Sequence, residues 1–237
     1  MALLALALGT VVAGCGASDE DHIRVFAASS LTDVFTEMIE QFAAANEGAD
    51  PSIELIVAGS SALVAQINEG APADVVATAS SETMDLVTGS PTRSTFARNS
   101  LVIATEQGNP HDISDLQDLT SDDLLVAVCA PQVPCGTLAV ELLDDAEVAL
   151  DPATFEPNVR SVATKVGLGE VDAGLIYRTD VDSAPVDAVE IGQSDRFATA
   201  YPIAALSTSP EALSFIDFVL SEQGSEILAR AGFLPPP

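Results

Sequence analysis

The feature that most constrains the fold of this chain is a short apolar strand pattern that runs directly into paired serines. Residues 25–33 read VFAASSLTD, in which Ser29 and Ser30 open a helical pattern. A second apolar run ends in AGSSAL, where Ser60 and Ser61 open another helix. The first N–H groups of a helix lack partners, and the helix dipole is positive there. Each serine pair is therefore a candidate anion site, although a single serine at such a position is commonly only an N-cap.

The chain up to about residue 90 alternates between strand and helix patterns. Apolar runs at 23–28, 53–58 and 74–79 are typical of strands, and helical spacing follows each of them. This alternation predicts βαβ units in an α/β fold with a mostly parallel sheet. Ligands of such sheets bind at the carboxyl ends of the strands, which is where both serine pairs fall.

The rest of the chain continues the α/β pattern. A chain of 237 residues can form one or two domains. Further strands are predicted at 100–105, 124–129, 174–177, 188–191 and 198–206. Further helices are predicted at 113–119, 137–143, 159–166 and 210–228, the last with an interruption at Gly224.

The charge balance restricts the partners of the protein. Its 36 acidic residues outnumber 8 basic ones, for a formal net charge of −28. Nucleic acids and anionic membrane surfaces require a basic footprint, so neither is expected as a partner. A small anion is still compatible with this charge, because exposed charges are screened beyond roughly 8 Å whereas buried donors act at contact distance.

The N-terminal segment is predicted to direct export. Residues 1–15 form an apolar run shorter than the roughly 20 residues needed to span a bilayer, and small residues precede Cys15 as in a secretory cleavage site. The run ends in VAGC, which resembles a bacterial lipobox. It predicts lipidation of Cys15, a tether at 16–21 and a place on the outer face of the cytoplasmic membrane, contacted only through the lipid. The alternative is a buried N-terminal helix with an incidental cysteine.

Cys129 and Cys135 remain as an even pair in the segment CAPQVPCG. An exported chain meets an oxidising compartment, and the prolines restrict the intervening loop to a turn, so a disulfide is predicted. Zinc is less favoured, because His22 and His111 lie elsewhere and two cysteines do not complete a tetrahedral site. A redox-active pair would more often read C-x-x-C beside a helix start.

Four segments in the same order carry a resemblance to a known family. They read VFAASSLTDVF, VAGSSALVAQINEGAPADVVATAS, VPCGTLA and AGLIYRTDV. Together they resemble the periplasmic molybdate-binding proteins of ABC importers, and the likeness extends over residues 23–233. The GAPAD stretch and the SSLT opening make it fairly specific.

The resemblance implies a type II periplasmic-binding-protein fold, in which two α/β lobes are joined by two strand crossovers. The crossovers are expected at 101–105 and 201–205. One lobe would comprise 22–102 with 203–237, and the other 103–202. The implied function is capture of molybdate or tungstate in the cleft and delivery to the permease of an ABC transporter. The resemblance implies a monomer without enzymatic activity and without a cofactor.

The resemblance also implies how the oxyanion is held. Neutral hydroxyls and backbone N–H groups would bind the oxygens of molybdate, with no direct ligand to the metal. The matching positions are the hydroxyls of Ser30, Ser60 and Tyr177 and the backbone N–H groups of Cys135 and Val159, with Ser29 and Ser61 adjacent. Relatives often have a small residue such as Ala where Cys135 stands, but a backbone donor does not depend on the side chain.

Three basic side chains lie near the implied site in the sequence. Arg160 and Lys165 are expected to face solvent from their helix. Arg178 is expected to be a solvated charge paired with Asp180. None of these side chains is assigned to the ligand.

Other functions fit parts of the sequence. A receptor for sulfate, a phosphonate or another oxyanion would share the fold. A ferric-ion receptor would need clustered tyrosines, whereas Tyr177 and Tyr201 are the only two. A secreted serine hydrolase lacks a G-x-S-x-G elbow here, and a thiol oxidoreductase lacks its motif.

Overall fold

Two five-stranded β-sheets organise the part of the chain that the computed structural model describes, residues 22–46, 52–89, 91–192 and 194–237. The strands are β1 (His22–Ala28), β2 (Ser52–Ala58), β3 (Val75–Ala77), β4 (Arg93–Asn99), β5 (Leu101–Glu106), β6 (Val126–Cys129), β7 (Thr154–Glu156), β8 (Ala173–Tyr177), β9 (Val186–Val189) and β10 (Thr199–Ala205). The helices are α1 (Thr32–Ala45), α2 (Ser60–Asn68), α3 (Ser81–Asp85), α4 (Pro134–Asp145), α5 (Val159–Gly167), α6 (Pro210–Val219) and α7 (Glu222–Arg230).

Both sheets mix parallel and antiparallel strands. The first has the order β2-β1-β3-β10-β4, in which β1 runs parallel to β2 and β3 while β10 runs antiparallel to β3 and β4. The second has the order β7-β6-β8-β5-β9, with β5 antiparallel to both of its neighbours. The predicted α/β class is confirmed, but the sheets are less parallel than expected because β5 and β10 run against their neighbours. We call the first sheet with α1, α2, α3, α6 and α7 the first lobe, and the second sheet with α4 and α5 the second lobe.

The chain passes between the two sheets at two points. It leaves the first sheet at Ser100, between β4 and β5, and re-enters it at Thr199, where β10 begins. The expected lobe boundaries after residues 102 and 202 therefore fall inside β5 and β10, which belong wholly to one sheet each. The sequence pattern missed β4, because its segment RSTFARN buries few apolar side chains and has no apolar run.

Helix α1 illustrates how the apolar pattern builds the core. Its buried residues Val34, Phe35, Met38 and Phe42 follow the predicted helical spacing. The ring of Phe215 on α6 packs edge-on against Phe35 and Phe42, with centroid distances of 6.0 and 5.5 Å. Because α1 is fixed on the sheet in this way, its N-terminus is held at the carboxyl end of β1.

The predicted export segment lies outside the described residues. Those undescribed positions include the predicted signal peptide at 1–15, the tether at 16–21 and Cys15. Within the described ranges, every helix is too short or too polar to cross a membrane.

Candidate functional site

Helices from both lobes begin at one small cavity between them. The cavity has a volume of about 10 Å³ for the centre of a water-sized sphere, which is about the space that one water molecule needs. The residues that line it are Ala28, Ser29, Ser30, Gly59, Ser60, Ala79, Val133, Pro134, Cys135, Pro157, Asn158, Val159 and Tyr177. The first lobe contributes the ends of β1 and β2 and the helix starts that follow them, and the second contributes the starts of α4 and α5 and the end of β8.

The cavity brings together the positions that the sequence singled out. Its lining includes the three hydroxyl residues Ser30, Ser60 and Tyr177, both backbone candidates, and Ser29. Ser61 is not among the lining residues; its Oγ donates to the carbonyl oxygen of Gln132 in the second lobe at 3.4 Å.

Ser30 is held in a buried turn between β1 and α1. Ser29–Leu31 form a single 3₁₀ turn, and the Oγ of Ser30 lies 2.8 Å from the hydroxyl of Tyr201 on β10. If Tyr201 donates this hydrogen bond, the hydroxyl proton of Ser30 is free to be donated to a ligand in the cavity. Burial raises the pKa of Tyr201, so its phenol stays protonated. Sequence reasoning missed this supporting role, for which the only signal was the scarcity of tyrosine.

Ser60 is the first residue of α2 and is oriented by its own hydrogen bond. Its Oγ accepts from the backbone N–H of Ala79 at 3.0 Å. Because the N–H occupies an acceptor position of the hydroxyl, the O–H proton remains available as a donor. The neighbouring Gly59 lies against the second lobe, since a Cβ at Gly59 would be 2.6 Å from the carbonyl oxygen of Pro157.

Cys135 lies in the first turn of α4, directly after Pro134. Its sulfur is bonded to that of Cys129 at the end of β6, as the sequence predicts for this pair. The bond ties the helix start to the strand. Because the first N–H groups of a helix have no partner within it, the Cys135 N–H is a backbone donor at the cavity.

Val159 is the first residue of α5 and offers a second backbone donor. The side chain of Asn158 caps the helix by accepting from the N–H of Ser161 at 3.0 Å. This cap satisfies the N–H of Ser161. The N–H of Val159 has no acceptor within the helix and is therefore available as a donor at the cavity.

Tyr177 carries the clearest indication of a ligand-binding site. It ends β8 and is 1% exposed. Among the described residues its hydroxyl makes no hydrogen bond of standard geometry, although the Tyr201 hydroxyl lies near enough to affect its pKa. Burial raises the pKa of this phenol well above its ordinary value, so it stays a neutral donor. A buried hydroxyl without a partner costs about 1–3 kcal/mol, which a bound acceptor would recover.

The electrostatics of the cavity favour an anion that carries acceptors only. Each residue that lines it, among those the structure describes, has an uncharged side chain. Helix N-termini direct positive dipole ends and free N–H groups toward it. A ligand with its own O–H group would find few hydrogen-bond acceptors in this cavity. The site therefore favours fully deprotonated anions over protonated ones.

The basic side chains near the site differ from their expected positions. Arg160 does not face solvent freely: its side chain is 23% exposed and pairs with Asp180 and with Asp33. The expected pair of Arg178 with Asp180 is also wrong, because Arg178 binds Glu190. The physical reason is that α5 packs its first turn against the first lobe, so that Arg160 lies between two carboxylates.

Lys165 lies one turn further along α5, away from the cavity lining. Its ammonium pairs with the carboxylate of Glu156 at 2.9 Å, and its side chain is 32% exposed. The expected solvent-facing position is therefore only partly realised.

The serine, histidine and carboxylate contacts that a hydrolase would need lie far from this cavity. His22 Nδ1 is 3.1 Å from Ser52 Oγ, and Nε2 is 3.2 Å from Glu54 Oε2. These residues are at the amino ends of β1 and β2, whereas the donors are at the carboxyl ends, roughly 20 Å away over six strand steps. The bonded cysteines Cys129 and Cys135 are six positions apart, which is not the C-x-x-C spacing typical of thiol oxidoreductases.

Comparison with known proteins gives matches along nearly the whole chain. The family described as "Bacterial extracellular solute-binding protein" matches residues 23–234. Molybdate-binding protein ModA from Mycobacterium tuberculosis H37Rv is 40% identical over 225 residues, which cover 90% of this chain and 85% of the relative. Molybdate-binding protein ModA from Escherichia coli K12 is 32% identical, with coverage of 96% and 94%.

Solved structures share the fold at lower identity. The periplasmic molybdate-binding protein of Azotobacter vinelandii superposes with a TM-score of 0.72 at 16% identity, covering 91% of this chain and all of that one. The sulfate-binding protein SubI of Mycobacterium tuberculosis gives a TM-score of 0.75 at 18% identity, with coverage of 90% and 86%. The predicted periplasmic-binding-protein architecture is confirmed, and the chain belongs to the family of bacterial extracellular solute-binding proteins.

Proposed function

We propose that this protein binds molybdate or tungstate between its two lobes and delivers it to the permease of an ABC transporter. The observation that carries the proposal is the set of neutral donors at one cavity, above all the buried Tyr177 hydroxyl, which makes no hydrogen bond of standard geometry in the described part of the chain. The two relatives named as molybdate-binding proteins, at 40% and 32% identity, support the choice of ligand. The role assigned to the cavity is binding, and it needs no catalytic group or cofactor.

The donor set is strong enough to hold a dianion without a cation. The proposed donors are the hydroxyls of Ser30, Ser60 and Tyr177 and the backbone N–H groups of Cys135 and Val159. Charge-assisted hydrogen bonds contribute about 1.5–3 kcal/mol each, so five of them contribute roughly 8–15 kcal/mol before costs. That sum is of the size needed to offset dehydration of the ion and closure of the lobes.

The same chemistry predicts the selectivity. Hydrogen phosphate carries its own O–H, for which a site of donors has no acceptor, and leaving it unpaired costs about 1–3 kcal/mol. Sulfate is fully deprotonated, so only its smaller size separates it from molybdate and tungstate. A cavity shaped for the larger oxyanions would leave some of its donors too far from sulfate.

Calorimetric titration of the protein with molybdate, tungstate, sulfate and phosphate tests the proposal. Molybdate and tungstate are expected to bind tightly in the titration. In thermal melts they are expected to raise the melting temperature strongly, because a ligand that binds only the folded state stabilises it. Phosphate is expected to have little effect. Equal stabilisation by sulfate at the same concentration would reassign the ligand, and no effect from any of the four ions would refute the site.

We also propose that the protein acts as a monomer and is anchored outside the cytoplasmic membrane by a lipid on Cys15. The support is the lipobox-like sequence before Cys15 and the acidic chain, which would not bind an anionic membrane by itself. The wild type is expected in the membrane fraction and Cys15→Ala in the soluble fraction. Mass spectrometry of the wild type should find the lipid on this cysteine, and an unmodified Cys15 would contradict the anchor.

A further inference from the structure

Three sequence segments that supply the proposed donors also supply three charged side chains that contact one another. Asp33 lies three residues after Ser30, Arg160 directly follows Val159, and Asp180 lies three residues after Tyr177. Asp33 belongs to the first lobe, whereas the other two charged residues belong to the second.

Arg160 contacts both carboxylates at short distance. Its Nε donates to Asp180 Oδ1 at 2.6 Å, and its Nη2 donates to Asp33 Oδ2 at 2.6 Å. The Asp180 side chain is fully buried, the Arg160 side chain is 23% exposed and the Asp33 side chain is 72% exposed. One guanidinium therefore joins a buried anion in its own lobe to an exposed anion in the other.

We propose that Arg160 is a positioning residue that holds the two lobes closed through Asp33, while Asp180 keeps its guanidinium in place. We call Asp33, Arg160 and Asp180 the closure latch. The identity of the retained ligand rests on the proposed function, but the effect of the latch on closure does not.

The burial of the two carboxylates explains which contact of Arg160 breaks when the lobes open. Asp180 is buried with one carboxylate oxygen unpartnered among the described residues, and burial raises the pKa of Asp180 to about 7, against the lowering effect of Arg160. Removing the guanidinium would leave this anion without its partner, which is costly. Asp33 is mostly exposed and regains water at little cost, so lobe opening breaks the contact with Asp33 and keeps the contact with Asp180.

Because the guanidinium of Arg160 is already fixed, its ion pair with Asp33 should stabilise the closed lobes more than an ordinary surface ion pair would. Exposed ion pairs gain little, partly because both long side chains lose freedom when they meet. Here Asp180 has already ordered the arginine, so only the short Asp33 side chain is ordered on closure. The paired carboxylates also balance a cation at the start of α5, where the helix dipole disfavours one.

The test compares Asp33→Asn with a matched control on the same helix. Glu37→Gln removes a carboxylate that binds Arg230 at 2.6 Å, but this pair lies within the first lobe. Stopped-flow dissociation of molybdate is expected to be three- to tenfold faster in Asp33→Asn and unchanged in Glu37→Gln. The difference between Asp33→Asn and the wild type should shrink at high salt, because screening weakens the exposed half of the closure latch.

Small-angle scattering of the ligand-free proteins gives a readout that does not depend on the ligand. Asp33→Asn is expected to have a larger radius of gyration than the wild type, and Glu37→Gln to match the wild type. If the wild type binds no oxyanion, the proposed function fails while this comparison still tests the closure latch. If Asp33→Asn and the wild type have equal radii of gyration and, where an oxyanion binds, equal dissociation rates, the closure latch is refuted.

A double variant tests the role of Arg160 itself. Arg160→Gln alone would leave the buried Asp180 carboxylate without its ion-pair partner. The pair Arg160→Gln with Asp180→Asn replaces both buried charges by neutral groups. It is expected to speed dissociation by the same factor as Asp33→Asn, and adding Asp33→Asn should cause no further change. Additive effects would overturn the closure latch, because they would mean that Asp33 acts independently of Arg160.

Discussion

The hydroxyls of Ser30 and Tyr201 are joined by a buried hydrogen bond of 2.8 Å, although 171 positions separate them in the sequence. Ser30 lies in the turn that follows the first strand of the first lobe, whereas Tyr201 lies on the strand that returns from the second lobe. The orientation of the first candidate donor therefore depends on the chain having completed its path through both lobes. This contact ties the ligand site to the connection between the lobes.

The serine hydroxyls should contribute both to oxyanion affinity and, through their buried hydrogen bonds, to stability. Ser30→Ala and Ser60→Ala each remove one charge-assisted donor, so the oxyanion affinity is expected to fall roughly 10- to 100-fold. Calorimetry would measure it, and a urea melt should find a stability loss of about 1–3 kcal/mol, because each variant leaves a buried group, the Tyr201 hydroxyl or the Ala79 N–H, without its serine partner. Ser61→Ala is the control, because Ser61 lies outside the cavity lining. Unchanged affinity in both variants would remove the serines from the site.

Tyr177→Phe should separate binding from stability. The substitution removes a buried hydroxyl that makes no hydrogen bond of standard geometry among the described residues, so the ligand-free protein is expected to gain about 1 kcal/mol of stability while oxyanion affinity falls roughly 10- to 100-fold. Tyr201→Phe is the matched control, since its hydroxyl is bonded to Ser30 and its loss should lower stability by about 1 kcal/mol. A lower melting temperature for ligand-free Tyr177→Phe would contradict this account.

Gly59→Ala should hinder closure without unfolding either lobe. The backbone angles of Gly59, φ −60° and ψ 137°, suit alanine, but its Cβ would meet the carbonyl oxygen of Pro157 in the second lobe at 2.6 Å. We expect oxyanion affinity to fall at least about tenfold, which corresponds to about 1.4 kcal/mol. Gly192→Ala is the control, because its Cβ would have no atom of the described residues within 4 Å. Equal affinities of the two variants would argue against a tight approach of the lobes.

Asp180 should make the stability of the protein depend on pH in a defined direction. Burial raises its pKa in the folded state to about 7, from 3.8, so the folded state binds the proton more tightly than the unfolded state. The stability from this group is fully present below about pH 4 and is lost as the pH rises through about 7.

The variant Asp180→Asn isolates this effect from the other acidic groups. The free energy of unfolding of Asp180→Asn minus that of the wild type, from urea melts, is expected to rise between pH 5 and pH 8. A difference that stays constant over this range would mean that the folded-state pKa of Asp180 is close to its ordinary value.

Much of the site could be predicted from local patterns. A strand that ends in serine at a helix start specifies a donor at a defined edge of a sheet, and the resemblance to a family located the partners in the second lobe. The cavity lining includes Ser30, Ser60, Cys135, Val159 and Tyr177, so the expected residues do lie together. The positions of the two backbone donors, Cys135 and Val159, follow from the local helix starts, whereas the orientation of the Ser30 hydroxyl depends on the distant Tyr201.

The sequence by itself determined the α/β class and the two serine pairs, because strand and helix periods and hydroxyls at helix starts are local properties of the chain. The candidate donors of the second lobe came from the family resemblance, and the helix predicted at 113–119 is only a 3₁₀ turn at Asp118–Thr120. Only the tertiary structure decided that Tyr201 supports Ser30, that Gly59 lies against Pro157, and that Arg160 joins Asp33 to Asp180. These contacts join residues 20 to 171 positions apart, and most of them cross between strands or lobes. Packing decides such contacts, and the sequence around either partner carries no sign of the other.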